Sequence, residues 1–191
     1  CGYKVYAVEP NGDMRRKAEE KLSENADFIS VSGSAGDTNL PDESVDFITA
    51  AQAFHWFDAE AFARECRRIL KPSGKVIIVY NSRDEKADCT KALAGLRQKY
   101  NPEFHGFSNG MSEEKCIAFF AGKCDIFRAD NPQVYDRQGY INRVLSSSYS
   151  LAQGGERYAR YLGEINGIFD AFSKDGIITV PTETVAYIGK I

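Results

Sequence analysis

The chain has 191 residues, of which 43% are hydrophobic and 27% are charged, and its formal net charge is −3. This composition is typical of a single folded domain. It offers neither the clustered positive charge that a nucleic-acid backbone attracts nor a run of ~20 apolar residues able to span a bilayer. The first residues also lack the basic lead and the apolar stretch of a signal peptide. We therefore expect a cytoplasmic protein that binds neither membranes nor nucleic acids.

The cysteine pattern indicates reduced thiols. The number of cysteines is odd and no two of them form a C-x-x-C pair, which disfavours both a disulfide framework and a zinc site. With only two histidines in the chain, we expect no metal ion to be bound. The residues concerned are Cys1, Cys66, Cys89, Cys116, Cys124, His55 and His105.

Strand-like and helix-like segments alternate in the first half of the chain. Asn11 is placed to cap a helix in which Met14, Ala18 and Leu22 recur every four residues, and this spacing predicts that Met14 lies in the core. The unbroken apolar run within 75–80 fits a strand buried on both faces of a parallel sheet. Strands are predicted at 3–8, 27–31, 45–50 and 75–80, and helices at 14–22 and 59–70. This order predicts an α/β fold with a doubly wound, mostly parallel sheet.

The second half of the chain has a different character. From 83 to about 123 it is mostly helical and polar, with a break at 108–110. Pro181 separates two closing β-rich runs, which fit either a β-hairpin or a bent strand. The later strands are predicted at 124–128, 133–136, 177–180 and 184–188, and the later helices at 137–146 and 156–172.

Candidate binding residues follow the first two strands, because ligands of open α/β sheets bind outside the carboxyl ends of the strands. The Glu9 carboxylate can accept hydrogen bonds from both ribose hydroxyls of a nucleoside, or it can favour the N-terminus of the next helix. Ser34 and Ala35 offer a hydroxyl and a backbone N–H to an adenine edge, unless their segment is a plain turn.

The segment 50–58 carries three aromatic rings, including the only tryptophan of the chain, and one histidine after the third strand. Surface loops seldom expose several aromatic rings without a binding role. His55 titrates near neutral pH and could hold or deprotonate a substrate. The alternative is that Phe54, Trp56 and Phe57 anchor the following helix to the sheet.

Five short segments occur together in a recognisable order. They are Val8-Glu9-Pro10-Asn11 with Met14, Gly33-Ser34-Ala35, Leu40 to Asp46, Gln52 to Phe57, and Arg68 to Lys75. This set resembles the class I S-adenosylmethionine-dependent methyltransferases, and within them the small-molecule branch that includes trans-aconitate methyltransferase-like proteins. The resemblance is strong over residues 3–80 and weak over 81–191. Its most specific parts are the segment from Gln52 to Phe57 and the Leu-Lys-Pro-x-Gly turn at 70–74.

The resemblance implies a Rossmann-like fold and S-adenosylmethionine as the cofactor. It divides the single domain into a cofactor-binding core (1–82), a mostly helical substrate or cap region (83–175) and closing strands (176–191). The implied cofactor contacts are Glu9 on the ribose, Met14 on the adenine or ribose, Ser34 and Ala35 beside the adenine, and Ala51 and Gln52 beside the methionine portion.

On the substrate side, the resemblance implies that His55 and Trp56 face the methyl acceptor and that Asp46 has a structural role. His55 is the candidate catalytic residue, acting as a base where the acceptor must lose a proton. Arg143, with the polar stretch 146–149 that contains Ser148, could hold an anionic acceptor. The alternative for Arg143 is a favourable cation at a helix C-terminus.

The sequence departs from the family pattern at two places. The family begins with a strand, a glycine-rich loop that contacts the methionine carboxylate, and a helix, all before the strand at 3–8. No G-x-G pattern occurs in this sequence, so we expect an N-terminally truncated domain whose sheet lacks its first strand. Gly36 stands where many relatives carry an acidic residue.

The expected function is methyl transfer to an unidentified small-molecule acceptor, and the oligomeric state cannot be read from the sequence. Two other interpretations fit some of the same residues. A non-catalytic binding module on a methyltransferase scaffold is one, because a fold does not by itself imply an activity. A nicotinamide-dependent dehydrogenase is the other, since it would share the acidic residue at Glu9 but not the segment at 52–57.

Overall fold

The computed structural model describes residues 2–107, 111–147 and 149–191. The break predicted at 108–110, together with Cys1 and Ser148, therefore lies outside the described residues. The strands are β1 (Val5–Val8), β2 (Phe28–Val31), β3 (Val45–Ala51), β4 (Leu70–Arg83), β5 (Cys124–Asp130), β6 (Gln133–Tyr135), β7 (Ile178–Val180) and β8 (Thr182–Gly189). The α-helices are α1 (Gly12–Leu22), α2 (Ala59–Ile69), α3 (Asp88–Tyr100), α4 (Glu113–Phe119), α5 (Arg137–Leu145) and α6 (Gly155–Phe172).

The strands form parallel pairs in the first half of the chain. β1 pairs with β2 in parallel, with Val8 opposite Val31, and β3 pairs with β4 in parallel, with Ala51 opposite Val79. The larger sheet has the strand order β3-β4-β8-β5, while β1-β2 and β6-β7 are separate two-stranded sheets. This mixture of parallel strands and connecting helices confirms the predicted α/β class.

The chain divides into two compact units, each assembled from separate stretches of sequence. The first unit contains the chain up to Val79 together with Ser112–Ile126 and Tyr187–Ile191, and the second contains Tyr80–Met111 and Phe127–Ala186. Buried side chains of the second unit come from α3, α5, α6 and β7 and include Leu93, Val144, Tyr161, Ile165 and Phe169. Within the described part of the chain, no helix has the length and apolar character that crossing a membrane requires.

Side chains cap both helices of the first half, and the sequence predicts the first of these caps. The Asn11 side chain accepts hydrogen bonds from the backbone N–H groups of Asp13 and Met14, so it caps α1. The Asp58 side chain accepts one from Ala61 at 2.9 Å and caps α2 in the same way. Each cap fixes the residue at which its helix begins.

β4 is longer than the sequence predicts, because it begins at Leu70 directly after α2. Val45 of β3 pairs with Leu70, but Phe47 pairs with Lys75, so the residues between them form a large bulge. A Cβ on Gly74 would lie 2.7 Å from Leu70 Cδ2 and 3.0 Å from the backbone oxygen of Asp46. Only glycine fits this bulge without displacing its neighbours.

The two closing β-rich runs do not form the hairpin that we considered. β7 pairs with β6 in an antiparallel arrangement, whereas β8 lies between β4 and β5 in the larger sheet. Pro181 separates them and lacks the N–H that would continue a ladder. The alternative of a strand that changes direction at Pro181 matches the structure.

Candidate functional site

The carboxyl ends of β1 and β2 lie side by side and place Glu9 at the edge of the sheet. The Glu9 backbone N–H donates to the Val31 carbonyl at 3.1 Å, which continues the parallel pairing by one residue. Its side-chain Oε1 accepts from the Asn11 N–H at 2.8 Å, and its carbonyl accepts from Arg15 Nη1 at 2.9 Å. The Glu9 carboxylate is therefore held at the strand end by a hydrogen bond from Asn11, the residue that caps α1.

Met14 is not a core residue, and the prediction from its spacing is wrong. Its side chain is 63% exposed, and none of the residues of α1 is buried. Arg15 and Ala18 are half-buried, so the helix turns these two residues inward and leaves Met14 at the side. The charged sequence of α1 leaves too narrow an apolar stripe to bury the helix. Met14 remains available to a ligand near the end of β1.

The segment after β2 is a tight turn. The N–H of Ser34 donates to the Asp37 carbonyl at 2.8 Å, and the N–H of Asp37 donates to the Ser34 carbonyl at 3.2 Å. The Ser34 side chain is exposed and Ala35 is half-buried. The plain-turn interpretation therefore holds for the backbone, and the same turn presents Ser34 to solvent.

Gly36 brings this turn against the first turn of α2. A Cβ built on Gly36 would lie 3.0 Å from the Cβ of Ala61. A larger residue at this position would require Ala61 to shift by a few tenths of an ångström, so glycine suits the close approach of the turn to α2. α2 directly follows the segment 52–57, so the turn at 33–37 lies beside the end of that segment and the start of α2.

A buried carboxylate that the sequence analysis missed fixes the loop after this turn. Glu65 is 7% exposed, and its Oε1 accepts from the N–H of Thr38 at 2.8 Å and from the Thr38 hydroxyl at 2.5 Å. Arg68 donates to both oxygens of Glu65, at 2.6 and 2.8 Å, and to the Leu40 carbonyl at 2.7 Å. The hydrogen bonds from Arg68, followed by those from Thr38, lower the pKa of Glu65 to about 2.

In the segment 52–57 after β3, two aromatic rings pack against other rings and the third is exposed to solvent. Phe54 is buried, and its ring contacts those of Phe57, Phe62 and Phe119 at centroid distances of 4.9 to 6.2 Å. Phe54 and Phe57 thus anchor the start of α2, as one of the two interpretations expected. Trp56 is 77% exposed and is not part of this anchor.

Backbone geometry turns the chain sharply at the end of β3. Gln52 adopts a positive φ of 53°, which is uncommon for a residue other than glycine. Its N–H donates to the Val79 carbonyl at 2.9 Å, so the last β3–β4 hydrogen bond holds the turn. Ala51 and Gln52 are both exposed at this carboxyl end, and a short 3₁₀ helix, Phe54–Trp56, follows.

His55 lies beside Trp56, with 4.9 Å between their ring centroids. Its side chain is half-buried, and the loss of hydration lowers its pKa below the ordinary value of 6.5. At pH 7 the neutral form of the imidazole therefore predominates, and a neutral imidazole can accept a proton.

Arg143 belongs to the second unit, where it lies in the last turn of α5 and is exposed. Its position fits the helix C-terminal cation that we considered as an alternative. Two further arginines that the sequence analysis missed, Arg83 and Arg97, lie within its electrostatic reach. Burial, and then repulsion by the other two arginines, lowers the pKa of Arg83 to about 10.

Comparison with known proteins agrees with the geometry of the first unit. Residues 1–78 match the family described as a methyltransferase domain. The fold is that of the Rossmann-like methyltransferases. A candidate type II methyltransferase from Anaeromyxobacter dehalogenans superposes with a TM-score of 0.67 at 18% identity, covering 98% of this chain and 80% of that chain.

Two curated relatives carry the same functional description. An uncharacterized methyltransferase-like protein of Schizosaccharomyces pombe is 39% identical over 75 residues, covering 39% of this chain and 29% of that protein. An uncharacterized methyltransferase of Mycobacterium bovis is 34% identical over 95 residues, covering 50% of this chain and 38% of that protein. The matched region thus spans less than half the length of each of these relatives.

Proposed function

We propose that the protein transfers a methyl group from S-adenosylmethionine to a small-molecule acceptor. The observation that carries this proposal is the Glu9 carboxylate at the end of β1, in a region that matches a methyltransferase domain. The comparisons favour this function over a non-catalytic binding module, because the family match and the curated relatives all describe methyltransferases.

The residues at the strand ends of the first unit suit this cofactor chemically. A carboxylate such as that of Glu9 can accept hydrogen bonds from the two ribose hydroxyls. The exposed side chain of Met14 offers an apolar surface to a flat ring, and the turn at Ser34 and Ala35 offers small side chains beside an adenine. Ala51 and Gln52 would lie beside the methionine portion.

S-adenosylmethionine, when bound, supplies a methyl group on a positively charged sulfur, which is already activated towards displacement. The protein therefore has to position the acceptor and exclude water from it, and orientation alone can lower a barrier by up to ~7–11 kcal/mol. Trp56 offers a large exposed ring against which an acceptor can pack. Where the acceptor loses a proton, the neutral imidazole of His55 is the group placed to accept it.

A finer assignment is part of the proposal. We place the protein in the trans-aconitate methyltransferase-like branch, and we propose that a further strand and a glycine-rich loop complete the cofactor site. The strand order supports the proposal of a further strand. Among the described residues, β1 pairs only with β2, and β3 pairs with β4 but with no strand on its other side. A strand between β1 and β3 would join the two sheets into one parallel sheet.

The test is titration calorimetry of S-adenosylhomocysteine into two proteins, namely this chain and a version extended by its native upstream sequence. We expect the extended protein to bind. Glu9→Gln in the extended protein should weaken binding, while Glu24→Gln, an exposed acid after α1, should not. Absence of binding by both the chain and the extended protein would refute the proposed function.

The role of His55 has its own test in the extended protein. His55→Ala should lower the turnover of an acceptor that must lose a proton and should leave the affinity for S-adenosylhomocysteine unchanged. Equal turnover in the variant would remove His55 from the mechanism.

A further inference from the structure

Three arginine side chains approach one another within the second unit. Arg83 ends β4, Arg97 lies in α3, and Arg143 lies in the last turn of α5. The guanidinium groups of Arg83 and Arg97 both lie against the ring of Phe107, at 4.7 and 5.2 Å from its centroid. The charge of Arg143 acts on both of them. We call Arg83, Arg97 and Arg143 the arginine cluster.

No carboxylate of the described residues forms an ion pair with the arginine cluster, although other arginines of the same unit are paired. Arg128 pairs with Glu183 at 2.9 Å and Arg137 with Asp170 at 2.5 Å. The charges of Arg143 and Arg97 act on Arg83, and the charge of Arg143 acts on Arg97. The arginine cluster is therefore a concentration of positive charge that the protein itself does not neutralise.

The most deeply buried member, Arg97, has donors without partners. Its side chain is 4% exposed, and its Nε and Nη2 atoms have no hydrogen-bond partner among the described residues. The hydroxyl groups of Tyr161 and Thr90 are buried and unpartnered in the same way. Thr90 precedes Arg97 by two helical turns on the same face of α3, and the Tyr161 phenol acts electrostatically on Arg97.

Such an arrangement is unfavourable for an isolated protein. Burying an ion without a partner is costly, and leaving buried donors unsatisfied adds to that cost. A bound anion removes both costs, because guanidinium groups form paired, charge-assisted hydrogen bonds with carboxylate and phosphate oxygens. Phe104, which is 2% exposed, and Phe107 give these groups an apolar flank that strengthens the attraction.

We propose that the arginine cluster, with Tyr161 and Thr90, binds a small anion that carries two or more negative charges on carboxylate or phosphate groups. Arg97 provides the central donors, and Arg83 and Arg143 provide the neighbouring charge. The identification of this anion with the methyl acceptor rests on the proposed function. The binding itself does not require methyl transfer.

The test uses citrate and inorganic pyrophosphate as probes and sucrose as an uncharged control, titrated into the protein at low salt without cofactor. We expect at least one anion to bind and to raise the melting temperature, and sucrose to give no binding isotherm. Arg97→Met keeps an unbranched side chain and should weaken anion binding by ~10- to 100-fold. Arg160→Met is the matched control, because Arg160 is exposed and pairs with Glu156 on α6, and it should bind like the parent.

A second variant tests the anion site in case Arg97→Met fails to fold. Tyr161→Phe keeps the buried ring and removes the hydroxyl group, and it should weaken anion binding several-fold while the circular dichroism spectrum is unchanged. Binding of citrate alone identifies carboxylate chemistry, and binding of pyrophosphate alone identifies phosphate chemistry. The inference is overturned if neither anion binds, or if a folded Arg97→Met protein binds as tightly as the parent. Anion binding would uphold the anion site, and the proposed function would be refuted if neither this chain nor the extended protein binds S-adenosylhomocysteine.

Discussion

At the scale of single residues, one buried carboxylate organises the loop that carries Ser34 and Ala35. Glu65 on α2 receives two hydrogen bonds from Thr38 and two from Arg68, which in turn holds the Leu40 carbonyl. A carboxylate with this many donors is more stable charged than protonated, which is why its pKa falls to about 2. The side chain of Glu65 thereby links the candidate adenine loop to the helix that follows His55.

Replacing this carboxylate should destabilise the protein at neutral pH. We expect Glu65→Gln to lower the free energy of unfolding by ~1.5–3 kcal/mol, because it removes charged hydrogen bonds with Arg68. The folded pKa lies below the ordinary value of 4.5, so the stabilisation is present above pH 4.5 and is lost as the pH falls towards 2. Urea denaturation across this range should show the difference between the parent and the variant shrinking with acid. Glu85→Gln, at an exposed position, should behave like the parent at every pH.

His55 shows how partial burial sets a protonation state. The protonated imidazole loses hydration beside Trp56, so the neutral form is favoured and the pKa falls below 6.5. The same effect links protonation to stability. Above pH 6.5 the group is neutral in both the folded and the unfolded state, and on acidification below 6.5 the unfolded state takes up the proton more readily.

This protonation state can be measured without knowledge of the acceptor. We expect the NMR signal of the His55 imidazole, assigned by its loss in His55→Gln, to titrate with a midpoint below 6.5. In denaturation experiments, the parent should lose more stability than His55→Gln as the pH falls from 6.5 through that midpoint. A midpoint at or above 6.5 would show that burial does not keep the imidazole neutral.

At the scale of secondary-structure elements, the helices were more predictable than the strands. Asn11 caps α1 as the sequence indicates, and α2 ends within one residue of its predicted end at position 70. These features depend on local chemistry, namely cap side chains and residues that stop helices. The extension of β4 back to Leu70 was not predicted, because strand pairing is decided by a distant partner, here Val45.

The bulge between α2 and β4 supports a prediction about two glycines. Gly74→Ala should lower the free energy of unfolding by ~1–3 kcal/mol, because its Cβ would overlap Leu70 and two backbone oxygens. Gly95→Ala is the matched control, since Gly95 lies inside α3 with no heavy atom within 4 Å of its added Cβ. This variant should gain ~0.5–1 kcal/mol through helix propensity. Urea denaturation followed by circular dichroism measures both, and equal effects would contradict the close packing at Gly74.

At the scale of the whole molecule, two parallel strands of the first unit have unpaired edges among the described residues. In the part of the chain that the structure describes, β1 pairs only with β2 and β3 only with β4, and both β1 and β3 carry exposed apolar side chains. Val5 is 52% exposed and Phe47 is 56% exposed. Strands of parallel sheets are usually covered on both faces, and an open apolar edge is a site at which another chain can pair.

These edges should make the 191-residue chain associate with itself. We expect sedimentation velocity to show association that grows with protein concentration, and Phe47→Thr to reduce it, since threonine keeps the strand but removes the exposed ring. Leu22→Gln removes an apolar side chain that is 42% exposed on α1, away from a strand edge, and should leave association unchanged. A chain that is monomeric at all concentrations would contradict this prediction.

The sequence by itself determined the α/β class, the cap of the first helix and the likeness to methyltransferases, because these depend on periodicity and on short segments of adjacent residues. The tertiary structure decided which way each side chain faces. Met14 repeats with Ala18 and Leu22 but is exposed, and Phe54 is buried while the neighbouring Trp56 is not. It also decided which charges meet. Glu65 forms its hydrogen bonds with Thr38, which is 27 positions away. The sequence of α3 does not reveal that Arg97 has no ion-pair partner among the described residues, because this depends on how β4, α3 and α5 pack together.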